Sequence, residues 1–234
     1  MLDHTIFNER PESQDRAIKE LQAMGYQYIP RAEAEKKRGH LSRVLFPDVM
    51  HEFLSSQSFT YRGKVCPFPD DAIGEAIREL DAPLEKGLMY ASKAVYDRLV
   101  YGKSCEIHLY DGNAQSFDIS YIDWEHPEKN IWQVTEEFSV ERLNGKFARP
   151  DIVIMVNGIP LAVIECKRAG IDVEEGVKQN VRNWQPDYIP QLFKFAQLVI
   201  AANPDTVKYG TAGTTQEYYC KWHEEDREWQ EDSA

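Results

Sequence analysis

The chain has 234 residues, a formal net charge of −12, and apolar and aromatic shares of 42% and 12%. That is room for one sizeable α/β domain with a small appendage, and the composition belongs to a folded chain rather than a disordered one. The acidic balance excludes bulk electrostatic attraction to nucleic acid, but a local basic track can still sit on an acidic protein.

No apolar run approaches the eighteen or so residues of a bilayer span. The N-terminus MLDHTIFNERPE lacks the basic-then-apolar order of a signal peptide. Cys66, Cys105, Cys166 and Cys220 form no CxxC pair, which predicts reduced cytoplasmic thiols and no structural zinc. The histidines show no HExxH spacing, because position 55, four after His51, is Ser.

In chain order, PESQDRAIKELQAMGYQYI predicts an early helix with Ala17, Ile18 and Leu21 inward and Gly25 as its stop. A short strand follows at Tyr26, Tyr28 and Ile29. A second helical stretch spans about 33–56, kinked or split by Pro47. YRGKVCPFPD reads as loop, then helices at about 70–80 and 84–100. The period changes after Gly102. Residues 105–110, 116–122 and 131–134 read as strands, followed by an apolar hairpin within 148–168. Helices are predicted at 173–183 and 190–196, and closing strands at 197–201 and 207–209. Together they predict an α/β fold with a mixed central sheet flanked by helices. Residues from Glu217 onward carry seven acids against Lys221 and Arg227 and read as an acidic tail or linker.

The hairpin ARPDIVIMVNGIPLAVIECKR turns at Asn157-Gly158, two residues that tolerate positive φ. Its register decides its chemistry. A plain two-residue turn sets Asp151 opposite Ile164 and turns Glu165 to the other face. A three-residue loop, or one bulge, sets Asp151 opposite Glu165, with Lys167 on the same face. Two carboxylates so paired repel, and a divalent cation between them removes the conflict. A lysine beside that ion can orient a water or offset phosphate charge, which points to metal-assisted phosphodiester hydrolysis. The competing reading is an ordinary solvated sheet edge.

Pro150-Asp151 followed by Glu165-Cys166-Lys167 resembles the PD-(D/E)xK signature of a nuclease superfamily. RPDIVIMVNGIPLAVIECK, YIDWEHPEKNIWQVTEEF and YIPQLFKFAQLVIAANPDTVKYGT resemble the N-terminal nuclease domain of the restriction (motor) subunit of type I restriction-modification enzymes. The resemblance implies a restriction-endonuclease-like core over residues 1–215, with a helical part at about 11–101, a sheet core at about 104–211, and a tail at 216–234. It implies Asp151 and Glu165 as ligands of Mg²⁺ (or Mn²⁺), the Cys166 backbone carbonyl as a further ligand, and Lys167 as the catalytic lysine. It also implies an acid from the first helix, with Glu12 preferred and Asp15 or Glu20 as alternatives. The family places a Gln followed four residues later by Tyr after the hairpin; here Gln179 is present but position 183 is Asn.

The implied partners are double-stranded DNA, methyltransferase and specificity subunits, and the subunit's own ATP-driven motor, the one part that needs ATP. The sequence is expected to be a nuclease domain without that motor. Gly102-Lys103-Ser104 mimics the end of a phosphate-binding loop, but Asp97 stands where the loop needs Gly, so a turn is the better reading. Lys146, Arg149, Arg168, Lys178, Gln179 and Arg182 are the candidate DNA contacts. Arg31, Lys36, Lys37, Arg38 and Arg43 form a second basic stretch, read mainly as a solvated helix face. Trp124, Trp132 and Trp184 are expected to pack rather than stack on bases. Two other readings stand beside this one: a repair or resolving nuclease of the same superfamily, and a non-catalytic docking module.

Overall fold

The computed structural model describes residues 12–223. Its elements run α1 (Glu12–Ala23), β1 (Gln27–Ile29), α2 (Arg31–Arg38), α3 (Pro47–Ser55), β2 (Ser58–Tyr61), β3 (Lys64–Pro67), α4 (Asp70–Leu80) and α5 (Leu88–Tyr101). They continue with β4 (Lys103–His108), β5 (Ala114–Ile119), β6 (Trp132–Glu136), β7 (Val140–Glu141), β8 (Phe147–Ala148), β9 (Ile152–Val156) and β10 (Ile159–Cys166). Last come α6 (Val173–Asn183), α7 (Pro190–Phe193), β11 (Leu198–Ala202), β12 (Val207–Gly210) and β13 (Cys220–Lys221). Among the described residues no helix is long and apolar enough to cross a membrane.

A seven-stranded mixed sheet carries the fold, in the order β1-β6-β9-β10-β11-β12-β13. β9 and β10 lie near its centre, and helices cover both faces. That explains their near-continuous apolar runs, since a strand buried on both sides has no solvent face to make polar. On one face Ile18 of α1 packs with Val134, Ile152, Ile164 and Cys166. On the other, Val153, Val163, Val199 and Ala201 join Val173 and Val177 of α6 and the larger core beneath α3–α5. Each such fully buried aliphatic side chain contributes about 1.5–3 kcal/mol. β10 and β11 run parallel, joined through α6, because parallel neighbours need a crossover.

Several local expectations are corrected. The stretch 33–56 is split as expected at Pro47, but the break extends over residues 39–46 and separates two helices. Gly39 ends α2 with φ 71°, and Pro47 begins α3, where its missing N–H costs nothing. YRGKVCPFPD is not loop but most of the β2–β3 hairpin. It turns at Arg62 (φ 48°) and Gly63 (φ 75°), the left-handed pair a tight hairpin requires. Among the described residues β4 and β5 pair only with each other, whereas β1, from the expected helical part, joins the large sheet. The supposed tail begins by adding β13 to the edge of that sheet; its remainder, from residue 224, lies outside the described residues. Lys103 pairs with Glu75 and Glu79, as suits a post-helix turn rather than a phosphate loop.

Candidate active site

The β9–β10 hairpin has both features that the sequence left open. Its turn is the two-residue Asn157-Gly158, with φ 52° and 80°. Pairing is then regular at Val156↔Ile159 and Met155↔Pro160, but resumes at Ile154↔Ala162. Leu161 is the extra residue of a bulge, and its carbonyl accepts from the Gln197 N–H at 2.8 Å. That single insertion flips every later side chain of β10 to the other face. Ile152 therefore pairs with Ile164, the last paired step, and just beyond it the Asp151 and Glu165 side chains meet.

The closed end of the hairpin is pinned deep in the protein. Asn157 is buried; its Oδ1 accepts from the Ile131 N–H at 2.7 Å, and its Nδ2 donates to the Tyr121 carbonyl at 2.9 Å and to Asn130 Oδ1 at 2.8 Å. The Gly158 carbonyl accepts from the Phe46 N–H at 2.9 Å. A Cβ on Gly158 would come within 2.6 Å of the Phe46 carbonyl oxygen, so only glycine fits beneath α3. The charged residues sit at the opposite end.

At that end Asp151 Oδ2 accepts from the Cys166 N–H at 2.7 Å. Glu165 is fully buried; one oxygen, Oε1, accepts from Asn183 Nδ2 at 3.3 Å, no N–H donor reaches the other, Oε2, and the carboxyl shares a hydrogen bond with that of Asp151. Lys167 Nζ lies 4.0 Å from Glu165 Oε2 and donates to Gln179 Oε1 at 2.7 Å. Burial pushes the Glu165 carboxyl well up, and the Asp151 charge adds to this. Burial also raises Asp151, opposed by the Cys166 N–H and the Lys167 charge. Burial lifts the Cys166 thiol to about 12, so its sulfur stays protonated.

Helix α1 closes one side. Ser13 Oγ donates to the Lys167 carbonyl at 3.0 Å, and Gln14 Nε2 donates to the Asp151 carbonyl at 3.3 Å. Helix α6 closes the other. A Cβ on Gly176 would lie 3.0 Å from the Ala201 Cβ and 3.6 Å from the Glu165 Cβ, so a small residue there lets the helix approach the sheet.

The expected residues divide. Asp151, Glu165 and Lys167 come together, and the Cys166 backbone lies between them. Glu12 starts α1, but its side chain lies outside the described residues. Asp15 and Glu20 are exposed. Lys167, Lys178, Gln179 and Arg182 line one cleft of about 450 Å³ together with Ile171 and Glu175. Lys178 also pairs with Glu175 at 2.7 Å. Arg149 is held by Glu137 at 3.0 Å, Lys146 is exposed beside the short β7–β8 turn, and Arg168 is exposed; none of the three lines that cleft.

Arg38 of the second basic stretch is not a solvated contact. It is buried over the Phe138 ring and donates to the carbonyls of Ala34, Arg43 and Ser139. Trp184 is buried against Phe193 and Tyr219, and Trp132 packs edge-on to Tyr26, as expected; Trp124 is exposed, with its indole N–H on the Leu99 carbonyl. Sequence reasoning missed Ser13, Gln14 and Asn183. The signal for Asn183 was its place one helical turn after Gln179.

A cation-binding role fits what these side chains offer. Two carboxyl groups face each other, and the buried Glu165 Oε2 has a vacant lone pair. Among the described residues no group of three or more His, Cys, Asp or Glu side chains could by itself hold a metal ion. That is compatible with an ion that keeps most of its own waters, as Mg²⁺ does.

Residues 6–218 match the family described as type I restriction enzyme R protein N terminus. The SsaAORF53P endonuclease subunit of a type I restriction enzyme from Staphylococcus saprophyticus is 32% identical over 124 residues, 53% of this chain and 12% of the relative. The HindI type I endonuclease subunit of Haemophilus influenzae is 23% identical over 214 residues, 88% of this chain and 19% of the relative. The chain thus spans less than a fifth of the length of these relatives. With the match running from ahead of α1 to beyond β12, the chain belongs to the family of type I restriction enzyme R protein N-terminal regions.

Proposed function

We propose that this chain is a Mg²⁺-dependent endonuclease domain that hydrolyses DNA phosphodiester bonds with water, without a covalent protein intermediate. The observation that carries this reading is the bulge-set register. It brings Asp151, Glu165 and Lys167 to one end of the hairpin, with one oxygen of a buried carboxyl reached by no N–H donor.

Asp151, Glu165 and the Cys166 carbonyl would hold the ion. When bound it supplies polarisation of the phosphoryl oxygen and a more acidic water. The protein's own groups do the rest. The Cys166 N–H fixes the Asp151 carboxyl. Gln179 holds the Lys167 ammonium 4.0 Å from Glu165, so it does not collapse onto the carboxylate. From there Lys167 orients a water and offsets charge gathering on the phosphate. Arg182 and Lys178 along the adjoining cleft provide the local positive charge that an acidic chain needs to accept a phosphate backbone.

In this reading double-stranded DNA is the substrate, and the working assembly adds methyltransferase and specificity subunits and an ATP-driven motor in the cytoplasm. Two measurements test it. Saturating Mn²⁺ stabilises the protein against heat, by about 2.7 kcal/mol at a hundredfold excess over Kd, and Asp151→Ala removes that response. In the assembled enzyme Glu165→Ala or Lys167→Ala abolishes cleavage while the fold persists. Full cleavage by either variant refutes the proposal. No metal response and no cutting favours a docking module, and cutting by this chain alone favours a motor-independent nuclease.

A further inference from the structure

Helix α6 presents two amide side chains one turn apart to the two charged residues of β10. Gln179 Oε1 accepts from Lys167 Nζ at 2.7 Å, and Asn183 Nδ2 donates to Glu165 Oε1 at 3.3 Å. Asn183 is the last residue of α6 and is buried at 1% exposure. Its position is fixed twice more. Its carbonyl accepts from the Ile189 N–H at 2.9 Å, and its Oδ1 accepts from Arg182 Nη2 at 3.4 Å.

We propose that Asn183 is a positioning residue: it anchors one oxygen of the Glu165 carboxylate and leaves the other for a divalent cation. The proposal rests on the metal-dependent reading above. An ionised carboxylate only accepts hydrogen bonds, so holding it takes a donor. A lysine or arginine donor would cancel the charge that attracts the cation. An amide donates without cancelling it. What such an arrangement leaves over is Glu165 Oε2, which no N–H donor reaches, with Lys167 Nζ held off at 4.0 Å and the Asp151 carboxyl beside it. Arg182 strengthens the device from behind, because a donor on Oδ1 polarises the amide and makes its N–H a better donor. Gln179 applies the same logic with opposite polarity, receiving from the lysine without adding charge.

The test compares Asn183→Leu, which keeps the branched shape but removes the donor, with Asn183→Ser, which makes room for a donating water. Should Asn183→Leu not fold, Asn183→Ala carries the same comparison. A crystal structure of the Leu variant is expected to show the Glu165 carboxylate displaced. Calorimetry with Mn²⁺ is expected to show affinity roughly tenfold weaker, as for the loss of a residue that orients a metal ligand, and largely restored by Ser. In the assembled enzyme kcat falls while KM for DNA holds. A carboxylate that keeps its place in the Leu variant, or unchanged Mn²⁺ affinity, overturns the proposal. If the wild-type chain itself binds no Mn²⁺, the nuclease reading fails separately, and the carboxylate position alone decides the role of Asn183.

Discussion

Glu165→Gln separates the stability of the site from its chemistry. Glu165 is fully buried, beside Asp151, with one oxygen reached by no N–H donor. Its carboxyl is pushed well above its ordinary value by burial and by the Asp151 charge. The native state therefore holds this proton at pH values where the unfolded chain has released it. The contribution to stability is full below the unfolded value, is lost as pH rises towards the folded value, and stays lost above it. Between those limits one proton is linked to unfolding, so stability falls by about 1.4 kcal/mol per pH unit. Glutamine has the same shape and no proton to lose. In chelator the variant's advantage over the wild type should therefore grow across that window by about 1.4 kcal/mol per pH unit. Urea unfolding followed by tryptophan fluorescence, which the buried Trp184 makes sensitive, measures the gap across pH. Mn²⁺ should narrow the gap by stabilising only the wild type, and the variant should not cleave DNA. A Gln variant that is less stable than wild type in chelator above that window refutes the electrostatic reasoning, because the carboxylate would then be a net stabiliser.

Three further outcomes are expected. Gln179→Ala frees Lys167 Nζ from its 2.7 Å tether; cleavage by the assembled enzyme should fall about 10–100-fold with the melting temperature nearly unchanged, and a wild-type rate would show the tether to be incidental. Asn157→Ala deletes three buried hydrogen bonds at a residue with φ 52°; denaturant unfolding should register a loss of about 3–5 kcal/mol, whereas less than 1 would mean that the turn is not pinned. Arg38→Ala strands the carbonyls of Ala34, Arg43 and Ser139 and should cost about 2–4 kcal/mol; a loss of DNA affinity at full stability would instead return Arg38 to the nucleic-acid surface.

The sequence by itself determined a good deal here. The 3.6-residue spacing located α1, α4 and α6, and Asn157-Gly158 located the central turn, because these signals are local: a helix face or a positive φ is written into adjacent residues. The Asp151, Glu165 and Lys167 grouping was legible as one of two registers. Choosing between them fell to the bulge at Leu161, and no residue type announces a bulge there; the carbonyl of Leu161 is instead claimed by Gln197, some thirty-six residues further on. Tertiary packing likewise buried Arg38, pulled β13 out of the supposed tail, left β4–β5 off the main sheet, and aimed Asn183 at Glu165. Each of these depends on partners distant in the chain, whose positions are fixed only when the sheet and its helices close on one another.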